Sequence, residues 1–182
     1  MPDICGTQPC LEIGASMTNE EIDKATGSVR GQLLTFRLGT STYGVDILRV
    51  KEIRGWSPVT KIPHSPPHVL GVLNLRGAIV PIIDLRLRFA LPEASFSPIT
   101  VIIVLSLQTA AGQRDCGVVV DSVSDVVDVA PGSVKPPPSL KAGQSRDFIA
   151  GIATVDEQML ILLNVDQLVT QDLHTDDAAA AA

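Results

Sequence analysis

The stretch YGVDILRVKEIRGWSPVTKIP (Tyr43 to Pro63) recurs later in the chain as CGVVVDSVSDVVDVAPGSVKP (Cys116 to Pro136), in an alignment without gaps. Glycine, valine and proline positions coincide in the two copies. Further along, GVLNLRGAIVPIIDL (Gly71 to Leu85) aligns in the same way with GIATVDEQMLILLNV (Gly151 to Val165). Self-similarity over this length is typical of a duplicated structural unit, so we expect two copies of one fold.

Each copy contains five short segments that are rich in β-branched residues and are bounded by turn residues. Five strands in one small unit leave exposed edges unless the sheet closes on itself. We therefore predict an all-β protein made of two five-stranded barrels in tandem, packed together. The expected strands lie near 32–38, 43–46, 53–59, 71–75 and 79–83 in the first copy, and near 100–107, 116–120, 126–129, 149–155 and 159–163 in the second.

The repeat also predicts the domain boundaries. A flexible N-terminal tail covers residues 1–28, the first barrel subdomain 29–91, the second barrel subdomain 92–169, and a flexible C-terminal tail 170–182. Both tails lack an apolar face that could offset the entropy of ordering them, so we expect them to be mobile and dispensable for folding.

Short helices are expected between the strands. Asp46 can cap a helix over ILRVKEI, whose apolar side chains would close one barrel mouth, and DSVSDV would do the same in the second copy. The segment NVDQLVTQDL predicts one or two amphipathic helical turns at the end of the second barrel.

An arginine and a glycine interrupt the apolar stretch VLNLRGAIVPIIDL (Val72 to Leu85). Two apolar strands joined at Arg-Gly predict a β-hairpin, in which Gly77 supplies the positive φ of a tight turn and Arg76 points into water. At the equivalent turn of the second copy the sequence has Asp156 and Glu157, which carry the opposite charge.

The composition indicates a globular protein. Hydrophobic residues make up 45% of the 182 residues, which is enough to form a core. The longest apolar run, Ile99 to Leu107, is about half of what a membrane-spanning helix needs, and the N-terminus lacks the pattern of a signal peptide. We therefore expect a cytoplasmic protein. The three cysteines are interpreted as reduced thiols, with Cys116 as a small core residue.

Charge is distributed unevenly along the chain. Residues 29–91 contain nine Lys and Arg against three Asp and Glu, whereas residues 92–182 contain four against twelve. Such polarity suggests that two parts of the molecule face different partners, although solvated surfaces of differing charge remain the alternative.

The sequence shows no pattern that indicates catalysis. It contains no phosphate-binding glycine loop, no nucleophile elbow and no set of zinc ligands. His64 and His68 are four residues apart, but the two prolines between them break the helix that would bring them together. Aromatic residues are only 3% of the chain, which is poor for a module that stacks nucleic-acid bases. We expect no enzymatic activity, no cofactor and no metal.

The runs YGVDILRVKEIRG, VLGVLNLRGAIVPIIDLR and GVVVDSVSDVV resemble the CheW family of bacterial chemotaxis coupling proteins. The resemblance covers about Val29 to Val169. It implies that the two barrels are SH3-like and that the chain is a non-enzymatic adaptor for chemotaxis signal transduction. The implied partners are the cytoplasmic hairpin tip of a transmembrane chemoreceptor and the regulatory domain of a CheA-type histidine kinase, with recruitment to membrane-associated receptor arrays.

Carried over residue by residue, the resemblance implies a receptor-binding surface at Val50, Glu52, Ile53 and Arg76, while residues that contact the kinase are not assigned. The long acidic N-terminal segment, the loop QTAAGQRD and the insertion KPPPSLKAGQ depart from the family pattern and leave the identity of the partners open. The alternatives are the same scaffold in another receptor-kinase pathway, a nucleic-acid-binding barrel, and an enzyme or metal protein.

Overall fold

The computed structural model describes residues 31–91, 96–109, 112–130, 132–137, 148–155 and 157–173, with residues 170–173 described as backbone only. Ten strands and three short helical segments make up these ranges. The strands are β1 (Gly31–Leu38), β2 (Ser41–Asp46), β3 (Val50–Gly55), β4 (Val69–Leu75), β5 (Ala78–Asp84), β6 (Val101–Thr109), β7 (Gly112–Val120), β8 (Ser122–Val129), β9 (Ile149–Val155) and β10 (Gln158–Leu163).

The strands form two five-stranded sheets, which confirms the predicted fold class. Sheet 1 has the order β8-β1-β2-β10-β9, and sheet 2 has the order β3-β6-β7-β5-β4. Each order contains one parallel pair, β2 with β10 in sheet 1 and β5 with β7 in sheet 2, and the remaining neighbours are antiparallel.

The two copies exchange strands reciprocally. Sheet 1 takes β1 and β2 from the first copy and its other three strands from the second, and sheet 2 does the reverse. The tandem assignment of five consecutive strands to each barrel therefore needs correction. The chain passes between sheets at Ile47–Arg49 and at Asp121, and the predicted boundary between residues 91 and 92 separates neither sheet. Equivalent strands of either copy present the same edge, so the repeat alone does not determine which copy a strand pairs with.

The duplication is nevertheless visible in the register. In sheet 2, Ile82 pairs with Gly117, and in sheet 1 the equivalent residues, Leu162 and Gly44, pair in the same way. An isolated bridge from Thr60 to Val72 joins the segment after β3 to β4, and one from Lys135 to Ile152 joins the segment after β8 to β9. These bridges close the two sheets at equivalent places.

Apolar side chains form three clusters. One lies within sheet 1 around Leu33 and Leu160, another within sheet 2 around Ile82 and Ile102. The third and largest contains Phe36 and other buried residues of both sheets, and joins them into one structure. It includes Cys116, which is fully buried, as the sequence predicted.

The helices differ in part from expectation. Only Ile47–Arg49 is helical in ILRVKEI, as one 3₁₀ turn capped by Asp46, and β3 begins at Val50. The segment DSVSDV is mostly strand β8. In both places the chain continues directly into pairing with the other copy, so backbone hydrogen bonds of the ladder replace those of a helix.

One α-helix follows the last strand of each copy. Helix α1 (Leu85–Arg88) follows β5, and helix α2 (Val165–Leu173) follows β10. The latter confirms the helix predicted over NVDQLVTQDL, and its last residues, 170–173, belong to the segment that was assigned to the C-terminal tail. Residues 1–28 and 174–182, where mobile tails were predicted, lie outside the described residues.

Each of these helices is joined by an ion pair to one of the two crossovers, the segments in which the chain passes between the sheets. Arg86 of α1 contacts Asp121 at 3.1 Å, and Asp166 of α2 contacts Arg49 at 2.8 Å. The two pairs occupy related positions but have opposite polarity, since the helix supplies the cation in one and the anion in the other. Asp121 holds a crossover in place through this ion pair, and it also accepts a hydrogen bond from the backbone N–H of Gly39.

Separate expression of residues 29–91 and 92–169 is expected to give poorly folded or associating material. Each fragment contains the strands of one copy but lacks the partner copy with which those strands pair in both sheets. Unpaired edges of this kind associate readily. Light scattering and NMR dispersion would check this, and two monomeric, cooperatively folding fragments would contradict it.

Stability is expected to fall at alkaline pH because of Tyr43, the only tyrosine of the chain. Burial raises the pKa of Tyr43 above its ordinary value, against a smaller opposing effect of a hydrogen bond with Ser41. A raised pKa in the folded state means that this contribution is fully present below pH about 10 and is lost as pH rises through the folded value. The absorbance change of tyrosinate reports this residue alone, and an ordinary titration midpoint in the folded protein would refute the expectation.

Candidate functional site

The hairpin between β4 and β5 presents Arg76 to solvent. Arg76 and Gly77 form its two-residue turn, with φ values of 52° and 90°. Positive φ at both central residues is the turn that fits the twist of a hairpin, and the side-chain oxygen of Asn74 accepts a hydrogen bond from the N–H of Gly77 at 2.9 Å. The side chain of Arg76 is 88% exposed, which confirms the predicted display of this residue.

Strand β3 brings Glu52 next to this arginine. The Arg76 guanidinium lies 3.4 Å from the Glu52 carboxylate, although the two are far apart in sequence and belong to opposite ends of the sheet order. Sheet closure through Thr60 and Val72 explains their proximity. An exposed ion pair of this length is worth at most about 1 kcal/mol, and it uses only part of the donor capacity of the arginine.

The other two predicted site residues have different environments. Ile53 follows Glu52 on β3 and is 43% exposed, but neighbouring residues of a strand face opposite sides of the sheet, so its side chain points away from the face of Glu52. Val50 is half-buried and packs against the largest core cluster, at a register irregularity of the β3–β6 ladder. The structure therefore brings Glu52 and Arg76 together and does not group Ile53 or Val50 with them.

A groove of about 500 Å³ lies near this turn, between the beginnings of β5 and β7. The two strands pair only over Ile82–Asp84 and Gly117–Val119, so their preceding residues are not joined by a ladder. Lys51 and Asp115, 2.6 Å apart, line the groove together with Arg114. The side chain of Ile79, which is 65% exposed, also lines it.

Sequence reasoning missed Ile79 as a surface residue. Strand β5 reads as continuous core, but Ile79 pairs across the hairpin with Asn74, and a polar partner beside the turn marks the part of a hairpin that leaves the core. We name Glu52, Arg76, Ile79 and the adjoining groove the Arg76 surface.

Among the residues that the structure describes, no three His, Cys, Asp or Glu side chains are grouped as metal ligands, and no helix is long and apolar enough to cross a membrane. Trp56 packs against the sheet 2 cluster and stacks on Phe96 with ring centroids 4.1 Å apart, so it is a packing aromatic.

Comparison with known proteins identifies the family. The family model described as a CheW-like domain matches residues 32–173. The chain is 42% identical over 152 residues to a chemotaxis protein CheW of Klebsiella aerogenes, covering 83% of this chain and 89% of that protein. It is 37% identical over 137 residues to a chemotaxis protein CheW of Rhizobium meliloti, covering 75% of this chain and 86% of that protein.

The fold is similar to that of a solved relative. The crystal structure of the scaffolding protein TtCheW from Thermoanaerobacter tengcongensis superposes with a TM-score of 0.70 at 32% sequence identity, covering 78% of this chain and 93% of that chain. The family model and these relatives span most of the described residues. The chain belongs to the CheW family of chemotaxis scaffold proteins.

Proposed function

We propose that this protein is a cytoplasmic, non-enzymatic adaptor that couples transmembrane chemoreceptors to a CheA-type histidine kinase. The observation that carries the proposal is the Arg76 surface, where a displayed guanidinium, a neighbouring carboxylate and the exposed Ile79 lie at one hairpin end of sheet 2. An apolar contact next to an oriented charge is the usual composition of a protein interface.

Arg76 is the residue that we assign to orienting the receptor. A carboxylate or a backbone carbonyl at the receptor hairpin tip can accept hydrogen bonds from its guanidinium, which has five donors in a fixed plane. Glu52 holds the guanidinium near the surface, while Ile79 loses exposed apolar area when the receptor covers it.

Charge gives the adaptor two faces of different character. Over the described residues of 50–120, which form sheet 2, seven Lys and Arg stand against three Asp and Glu. Over the described residues of 31–49 and 121–173, which include sheet 1, three stand against seven. A scaffold that holds two partners together needs two surfaces with different preferences, and opposite net charges supply them.

The proposal is tested by co-sedimentation. Receptor-containing membranes are centrifuged with a CheA-type kinase in the presence and absence of this protein. We expect the kinase in the pellet to increase several-fold when the protein is added, and the increase to be lost with the Arg76→Glu variant. An amount of pelleted kinase that does not depend on this protein would reject the coupling function.

A further inference from the structure

The repeat maps the Arg76 surface onto a second surface, on sheet 1. In the alignment of the two copies, Glu52 corresponds to Asp125, and Ile79 corresponds to Met159. The exposed fractions of Ile79 and Met159 are the same, at 65%. We name Asp125, Glu157, Met159 and the adjoining groove the Met159 surface.

The groove is duplicated as well. A groove of about 690 Å³ lies between the beginnings of β10 and β2, which pair only over Leu160–Leu162 and Thr42–Gly44. Its lining residues Thr40–Thr42, Ser124 and Gln158–Leu160 align with Gln113–Asp115, Lys51 and Ala78–Val80 of the first groove. The two parallel pairs share one register, since Ile82 with Gly117 is equivalent to Leu162 with Gly44, but the sheet 1 ladder begins two residues nearer the turn, at Leu160 and Thr42. The two grooves therefore share part of their lining, beside ladders that begin at different positions.

The chemistry of the two surfaces is different. The groove of the Met159 surface is lined by hydroxyl groups at the positions where the first groove has Lys51, Arg114 and Asp115. At the turn, Glu157 occupies the place of Gly77, and Asp125 occupies that of Glu52. Asp125 and Glu157 carry two negative charges, and Arg37 is the one cation that lines the groove among the described residues, so the Met159 surface has a net negative charge. The Arg76 surface has a net positive charge.

The backbone conformation of this turn does not favour a glutamate at position 157. Its φ is 63°, a left-handed conformation that a residue with a Cβ adopts at a cost and that glycine adopts freely at Gly77. Met159, directly after the turn, leaves most of its side chain in water, where it contributes little to the core. A carboxylate in a strained position beside an exposed methionine is unfavourable for folding alone, and such features are typical of binding surfaces.

We propose that the Met159 surface is a second docking surface, which binds a basic segment of a partner protein. The segment would place an apolar side chain against Met159, and Lys or Arg side chains against Glu157 and Asp125. The groove hydroxyls would accept hydrogen bonds from its backbone or donate them to it. The inference rests on the proposed function because it assumes that the equivalent Arg76 surface binds a protein.

The negative charge of the Met159 surface favours a basic partner segment over a nucleic acid, an acidic segment or a second copy of this chain. A nucleic acid or an acidic receptor segment would meet carboxylates of the same sign on the Met159 surface. A second copy of this chain could bind there only through a basic region such as the Arg76 surface, and receptor and copy would then compete for it. A basic partner segment meets the charge and leaves the Arg76 surface accessible.

The test is site-specific photo-crosslinking in the full-length protein. A benzophenone amino acid is placed at Met159, at Ile79, or at Leu48, which is 85% exposed and lies outside both surfaces. Each variant is assembled with receptor-containing membranes and a CheA-type kinase, irradiated, and the crosslinked peptides are sequenced. Position 159 is expected to crosslink to a segment of net positive charge that position 48 does not reach, and Glu157→Lys is expected to reduce this adduct at least tenfold.

The outcomes separate this inference from the proposed function. If position 79 gives no crosslink to the receptor while position 159 still crosslinks to a basic partner segment, the receptor assignment is wrong and the proposal for the Met159 surface is supported. The inference is overturned if position 159 gives no adduct, gives the same adducts as position 48, captures an acidic segment or a second copy of this chain, or keeps its adduct in the Glu157→Lys variant. Circular dichroism of each variant ensures that the comparison is made between folded proteins.

Discussion

Replacing Arg86 with alanine is expected to destabilise the protein by about 3–5 kcal/mol. The Arg86 side chain is 3% exposed and binds Asp84 through two hydrogen bonds, from Nε at 2.9 Å and from Nη2 at 2.7 Å, while Nη1 reaches Asp121. Removing the guanidinium leaves the carboxylate of Asp84, which is equally buried, without its countercharge. Urea denaturation with a linear extrapolation would measure the loss.

The ring of Phe96 covers this network, with its centroid 4.8 Å from the Arg86 guanidinium carbon. Hydrogen bonding with Asp84 raises the pKa of Arg86 above its ordinary value. The guanidinium therefore stays charged throughout the pH range of such an experiment. The double variant Asp84→Leu with Arg86→Met is the informative control. It removes both charges together and is expected to cost less than Arg86→Ala, because no unpaired charge stays buried.

A loss below about 1 kcal/mol for Arg86→Ala would show that water reaches Asp84 and that the network is a surface ion pair. Lys61→Ala supplies the baseline, since Lys61 is an exposed cation of the same half of the chain. The equivalent pair at the other crossover, Arg49 with Asp166, is about 30% exposed on each side, so its removal is expected to cost less than that of Arg86.

The prediction of strands from sequence succeeded where local pattern decides the outcome. The spacing of turn residues and the repeat predicted ten strands near their observed places, and the Arg-Gly turn predicted the display of Arg76. Local pattern does not encode pairing partners. Sheet 1 and sheet 2 each combine strands from both copies, and either copy offers equivalent edges, so the exchange became visible only in the structure.

The candidate site was predictable to a similar degree. Glu52, Ile53 and Arg76 were expected on one surface by resemblance. Sheet closure brings Glu52 to Arg76, whereas the alternation of the strand turns Ile53 to the other face of β3, and the role of these residues in binding stays a prediction. Ile79 and the grooves were not predicted, because they arise where two parallel strands from different copies separate. The roles of Asp84 and Asp121 were missed for the same reason, since their common partner Arg86 joins a strand end to a crossover whose position depends on the exchange.

The variant Arg76→Glu is expected to weaken receptor binding by about tenfold to hundredfold while leaving the fold intact. Loss of a charge-assisted hydrogen bond costs about 1.5–3 kcal/mol, and a reversed charge adds repulsion. The fold has little to lose, because the side chain is 88% exposed and its contact with Glu52 is a surface ion pair. Receptor binding and a thermal melt, measured on the same preparation, separate the two effects.

Two further variants make the interpretation of Arg76→Glu specific. Lys61→Glu makes the same change of charge at an exposed residue away from the Arg76 surface, so it is expected to leave receptor binding nearly unchanged. Gly77→Val is expected to lower stability instead, because valine resists the φ of 90° that the turn requires. If Arg76→Glu bound the receptor as tightly as the unmodified protein, Arg76 would serve only solvation. If it unfolded the protein, the contact with Glu52 would be a structural ion pair, because the turn itself tolerates any residue that can adopt a φ near 52°.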